Sequence, residues 1–132
     1  MPLLVAFAIR IKYFLKMRDF TKYDIWNDGI DLAVRTNSLT GDFPESEKFG
    51  LVSQARRASV SISSNFAEGC SRSSKKDFKR FIEISLGSAF ELKTQLIISN
   101  KLGYLNSQYL MEMVELTDKV SKQLNSLRNK LK

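Results

Sequence analysis

Histidine is absent from all 132 residues, and cysteine occurs once, as Cys70. The first absence removes the commonest general base and the commonest transition-metal ligand together. Ferritin-like di-iron bundles, which need Glu-x-x-His pairs on their helices, are therefore unsupported. A single thiol leaves no disulfide framework and no thiolate cluster for a metal, so a reducing, cytoplasmic setting is the simplest expectation. With no paired-carboxylate spacing and no reactive-cysteine site either, the expectation is a protein that is not an enzyme, with no metal and no cofactor. No long apolar run exists: Leu3 to Ile9 is far below the roughly 20 residues that span a bilayer. Arg10, Lys12 and Lys16 follow that run rather than precede it, the reverse of a signal peptide, and no membrane partner is expected. Strand-like alternation bounded by hairpin turns is missing, as are zinc-finger, RRM-type and KH-type motifs.

What is present is ordinary globular composition, 43% hydrophobic and 27% charged, with 21 Lys and Arg against 14 Asp and Glu for a net charge of +7. The charge is uneven. Residues 17–55 hold four cations and seven anions, net −3, whereas Arg56 to Arg80 hold seven cations against Glu68 and Asp77, net +5. Such a field favours an anionic partner, although a charge run on a water-facing surface would look the same.

Apolar residues recur at helical spacing in four segments joined by short punctuation, which predicts an all-α, antiparallel up-down-up-down four-helix bundle over residues 17–132. Asp24 is expected to cap a first helix to about Leu39, with Trp26, Ile30, Ala33 and Asn37 on its stripe and Ile25, Leu32 and Leu39 near it. Pro44 suits the first turn of a second helix, with Glu45 and Glu47 at its positive end. That helix should run to Glu68 on a core stripe of Leu51, Ala55, Ala58, Ile62 and Phe66, with Gly69 as its left-handed C-cap. Asn65, beside Phe66, reads as a buried amide fixing helix register. Ser74 with Asp77 resembles a capping box opening a third helix that reaches Leu102 and stops at Gly103. The fourth, from Ser107 to Leu131, carries Leu110, Met113, Thr117, Val120, Leu124, Leu127 and Leu131 at coiled-coil-like spacing.

The third helix is apolar on two sides. Phe78, Phe81, Ser85, Ala89, Leu92, Leu96 and Ser99 form one stripe, and Ile82, Leu86, Phe90 and Ile97 form another. A helix buried on two sides needs a second surface, so self-association is expected, with Gly87, Ser88 and Ala89 allowing close approach. The aromatics Phe49, Phe66, Phe78, Phe81 and Phe90 sit at core spacing rather than on a base-stacking platform.

Lys75, Lys76, Lys79 and Arg80 fall in the first two turns of the third helix, where the macrodipole disfavours each cation by about 0.3–1 kcal/mol at low salt. A phosphate nearby would reverse that sign. The alternative is pairing with Glu68, Asp77, Glu83 or a carboxylate from another subunit; Lys79 and Glu83 have the right i,i+4 spacing. With Arg72 these four are the first candidates for nucleic-acid contact. Arg56 and Arg57 are the second; being consecutive, they should point apart, one to an interface and one to solvent.

The ordered motifs Phe43-Pro44, Gln54-x-Arg56-Arg57-Ala58, Asn65-x-Ala67-Glu68-Gly69 and Gly87-Ser88-x-x-Glu91-Leu92 closely resemble the bacterial four-helix-bundle proteins encoded by intervening sequences of large-subunit ribosomal RNA genes. The resemblance runs from Met17 through the fourth helix. It implies assembly into a ring, typically a homopentamer with a central channel, and it carries no catalytic residues. A related group, the accessory variability determinant of diversity-generating retroelements, is similar in fold and implies work with a reverse transcriptase and nucleic acid.

Residues 1–16 lie outside the resemblance and read as an extension from an early start codon, a segment packed on the bundle, or a short basic surface helix. Two functional expectations stand side by side. One is a homo-oligomer binding structured RNA or DNA through the phosphate backbone; the other is a scaffold or accessory subunit for a protein partner, with no nucleic-acid binding of its own.

Overall fold

The computed structural model describes residues 2–6 and 18–131. Among them there is no strand. The long elements are α1 (Asp24–Thr40), α2 (Leu51–Cys70), α3 (Lys75–Lys101) and α4 (Ser107–Lys130), with short 3-10 turns at Phe20–Lys22 and Glu45–Glu47. Each long helix packs on the next, and α1 packs on α4, so the chain is an all-helical bundle. Notions about residues 1–16 concern a segment that, apart from 2–6, lies outside the described residues.

Helix ends follow local chemistry where a side chain can reach a free N–H. Ser74 Oγ accepts from Asp77 N at 3.1 Å, opening α3 as expected, and Asn106 Oδ1 accepts from Tyr109 N at 2.8 Å, opening α4. Gly103 adopts φ 82°, the left-handed turn that halts α3 and that an L side chain rarely tolerates.

The core joins Leu32, Ile62, Phe66, Ile82, Leu92, Val120 and Leu124, all fully buried. Each such side chain contributes about 1.5–3 kcal/mol relative to exposure. Tyr23 meets the edge of Phe66 at 5.1 Å, and Phe66 meets Phe78 at 6.2 Å, tying the lead-in of α1 to the α2–α3 corner. Ser85 Oγ donates to Ile62 O at 2.6 Å, so a buried hydroxyl on α3 is satisfied by the α2 backbone.

Several expectations need correction. Asp24 does not cap α1; Tyr23 holds that position without a side-chain bond, and Asn27 Nδ2 instead donates to the carbonyls of Thr21 and Tyr23 at 2.9 and 3.1 Å. The α1 stripe is Ile25, Gly29, Leu32, Thr36 and Thr40, whereas Ile30 and Asn37 are exposed. The cause is Gly29, where an added Cβ would lie 3.2 Å from Ser63 Cβ: close approach turns that face inward.

Pro44 precedes a 3-10 turn rather than α2, because Gly50 at φ −104°, ψ −113° leaves the helical region and restarts the chain at Leu51. Val52 replaces half-buried Leu51 at the head of the α2 stripe, while Ala55, Ala58, Ile62 and Phe66 are buried as expected. Gly69 is not a cap: α2 continues to Cys70, and Ser71 caps it in right-handed conformation. Asn65 donates to Ser61 O of its own helix at 2.8 Å and so bridges nothing. Phe49, in the turn before α2, and Phe90 are 90% and 62% exposed, contrary to their core spacing.

Candidate nucleic-acid interface

The α2–α3 connection is exposed throughout residues 71–77, and α3 leaves it with Lys75, Lys76 and Arg80 in solvent and Lys79 half-buried. Ser74 caps the helix and Asp77 lies in its first turn, so the dipole of a 27-residue helix opens onto this end. Among the described residues Lys75, Lys76 and Lys79 form no ion pair within 4.0 Å. The anticipated Lys79–Glu83 pair is not made. Glu83 faces Arg128 Nη1 of α4 at 3.9 Å instead, which brings the last turn of α4, with Arg128 and Lys130, towards the same end.

Arg72 and Arg80 have internal partners, the first at i,i+4 spacing from Glu68. Arg72 Nη2 pairs with Glu68 Oε1 at 3.1 Å, and its guanidinium lies 4.8 Å from the centroid of the Phe81 ring. Arg80 lies 5.3 Å from the same ring. Internal partners therefore exist for the two arginines, whereas the three lysines have no ion pair among the described residues.

Arg18 was missed altogether. Its Nη1 donates to Arg72 O at 2.8 Å and its guanidinium lies 4.1 Å from the Phe78 ring centroid, so the chain ahead of α1 adds a cation to this end. No spacing rule links residues 54 positions apart; only the fold does.

Arg56 and Arg57 are not part of this end. Thirteen residues separate Arg57 from Cys70 on α2, about 20 Å at 1.5 Å per residue. Arg56 Nε donates to Thr40 Oγ1 at 3.0 Å and Nη2 to Asn37 O at 3.2 Å. It thus satisfies carbonyl and hydroxyl groups where α1 ends, a place the dipole favours for a cation. Arg57 is exposed on the other side, the split that consecutive positions require.

Cys70 lies beneath the corner, 3% exposed, and burial pushes its thiol up to about 11 against the smaller opposing field of Arg18. At neutral pH it is a protonated core group rather than a nucleophile. Among the described residues no cluster of three or more Cys, Asp and Glu is arranged to hold a metal, and no helix is long and apolar enough to cross a membrane. An open hollow elsewhere, between α1 and α4, mixes Arg35, Glu112, Glu115, Asp118 and Lys119, with no single sign of charge to select a ligand.

The family model described as 23S rRNA-intervening sequence protein matches residues 21–126. A crystal structure of a protein with unknown function from the S23 ribosomal protein family of Bacteroides thetaiotaomicron VPI-5482 superposes with a TM-score of 0.72. That likeness covers 79% of this chain and 97% of the other at 21% identity, and at that identity it establishes fold alone. No curated protein matches the chain.

Proposed function

The chain belongs to the 23S rRNA-intervening sequence protein family, and from that premise we propose that it is a non-enzymatic, homo-oligomeric bundle that binds structured RNA or DNA through the phosphate backbone. The observation that carries this reading is the placement of Lys75, Lys76 and Lys79, without ion-pair partners among the described residues, at the positive end of the longest helix. Stability alone disfavours cations there; a polyanion makes them favourable. Fluorescence anisotropy with a structured RNA and a duplex DNA tests it. Affinity should fall by about two orders of magnitude between about 50 and 200 mM salt, as expected for a protein that makes about four phosphate contacts. Absence of binding to either probe at the lower salt would sink the proposal.

The same reading includes an antiparallel course for the four helices and their assembly into a ring, taken as five-membered. Short connections and packing of each helix on the next support the first. The stripe expected to meet a neighbour fails in part, because Ile82 and Leu86 are buried in the core of this chain; the second is supported instead by an outward α3 face on which Ile84, Phe90 and Ile98 are 44%, 62% and 42% exposed, with open space at Gly87. Heterologous contacts between such a face and a different patch of the next subunit close into a ring when the rotation between neighbours closes. Light scattering should give about five protomers at micromolar concentration, and Gly87→Arg should reduce the particle to a folded monomer. A wild-type monomer at that concentration removes the ring, and a Gly87→Arg ring removes this face from the contact.

A further inference from the structure

Three guanidinium groups at the basic end lie over buried aromatic rings. Arg18 lies 4.1 Å from the Phe78 centroid, and Arg72 and Arg80 lie 4.8 and 5.3 Å from that of Phe81. Phe78 and Phe81 are only 2% and 6% exposed, and Phe78 belongs to the hydrophobic core. A guanidinium on an aromatic face spends its planar surface on the ring and leaves its in-plane N–H groups to point elsewhere. Stacking also removes part of the rotamer freedom that an arginine otherwise loses on grasping a ligand. Arg72 and Arg80 both lie over the Phe81 ring, which gathers two guanidinium groups at one place on the corner. Arg18, bonded to Arg72 O at 2.8 Å, is fastened to the same turn of chain.

We propose that Arg18, Arg72 and Arg80 form a phosphate clamp, and that Glu68 competes with the ligand for Arg72. The clamp rests on the anion-binding function proposed above and names the groups that would grip one backbone phosphate. The lysines of α3 supply attraction that any cation could supply, graded by salt. The arginines supply planar, paired donors that match phosphate oxygens, which an ammonium cannot reproduce. Glu68 Oε1 holds Arg72 Nη2 at 3.1 Å, but the two side chains are 42% and 54% exposed. Such a solvent-screened pair is weak enough for a phosphate to displace. Arg72 then exchanges one oxyanion for another while its ring contact stays in place.

The test is anisotropy of a fluorescein-labelled RNA hairpin with the full chain and three variants, across a salt series. An Arg72→Lys, Arg80→Lys double variant keeps both charges and should bind about tenfold more weakly, with a salt slope close to that of the wild type. Arg18→Lys should weaken binding by about threefold. Glu68→Gln should tighten it by about threefold, a gain that loss of folded protein cannot produce. Wild-type affinity in the double variant overturns the clamp while leaving the charge-based reading intact. Glu68→Gln binding no tighter than wild type overturns the competition. If the wild type itself fails to bind at low salt, the anion-binding reading and the clamp fall together.

Discussion

Replacing Lys75, Lys76, Lys79 and Arg80 together by glutamate should abolish measurable nucleic-acid binding at about 50 mM salt, a loss of at least about a thousandfold, and should leave the helices intact. Four reversals change the net charge by eight, from +7 to −1, so long-range attraction goes as well as local contact. The same substitutions place anions at positions 75 and 76 in the first turn of α3, where each is favoured by about 0.3–1 kcal/mol at low ionic strength. Against this stands loss of the Arg80–Phe81 contact, worth about 0.5–1 kcal/mol. The variant should therefore melt at or above the wild-type temperature while binding nothing. That opposition is the informative outcome, because a corner built for stability would show both quantities falling together. Unchanged affinity in this variant would place any nucleic-acid contact elsewhere on the molecule.

The limits of α3 were legible because Ser74, Asp77 and Gly103 each satisfy a backbone requirement that few other residues satisfy in that order. The core of α2 and α4 was legible because three-four spacing over several turns leaves one face for apolar groups: Ala58, Ile62 and Phe66 on α2, and Met113, Val120 and Leu124 on α4, are all buried. Where close approach rather than apolar content decides, the pattern misled. The side of α1 that meets α2 is chosen by Gly29 against Ser63, so Ile30 and Val34 face water although they are the more hydrophobic residues.

The lysines of the candidate site could be read from their position at a helix start. The stacking of Arg72 and Arg80 on Phe81 could not, because it depends on how α2 delivers the turn to α3. Nor could the presence of Arg18, which arrives through tertiary packing. Conversely Arg56, in the Gln54-x-Arg56-Arg57-Ala58 motif of the family resemblance, fastens the end of α1.

Substituting Gly69 should be the most damaging single change at this corner, for a reason that separates two roles of glycine. An added Cβ would stand 2.7 Å from Phe81 Cβ and 3.3 Å from Phe78 Cδ1. Phe81 Cβ is fixed to the α3 backbone and cannot rotate away, so α2 and α3, the most extensively packed pair of helices, must move apart. Alanine recovers up to about 1 kcal/mol of helix propensity but incurs about 1–3 kcal/mol of overpacking. Valine adds two methyl groups and a stiff χ1, and should cost about 3 kcal/mol, lowering the melting midpoint by roughly 10 °C.

Asparagine discriminates between the roles. At a left-handed C-cap it is the tolerated replacement for glycine, whereas here its larger side chain meets the same Phe81 Cβ and should be rejected about as strongly as valine. Gly69→Asn melting within a degree or two of wild type would restore the cap and remove the packing argument. The expected result ties stability to the site, since displacing Phe81 moves the ring on which Arg72 and Arg80 lie. Folded Gly69→Ala protein should then bind RNA more weakly than wild type although no charge has changed.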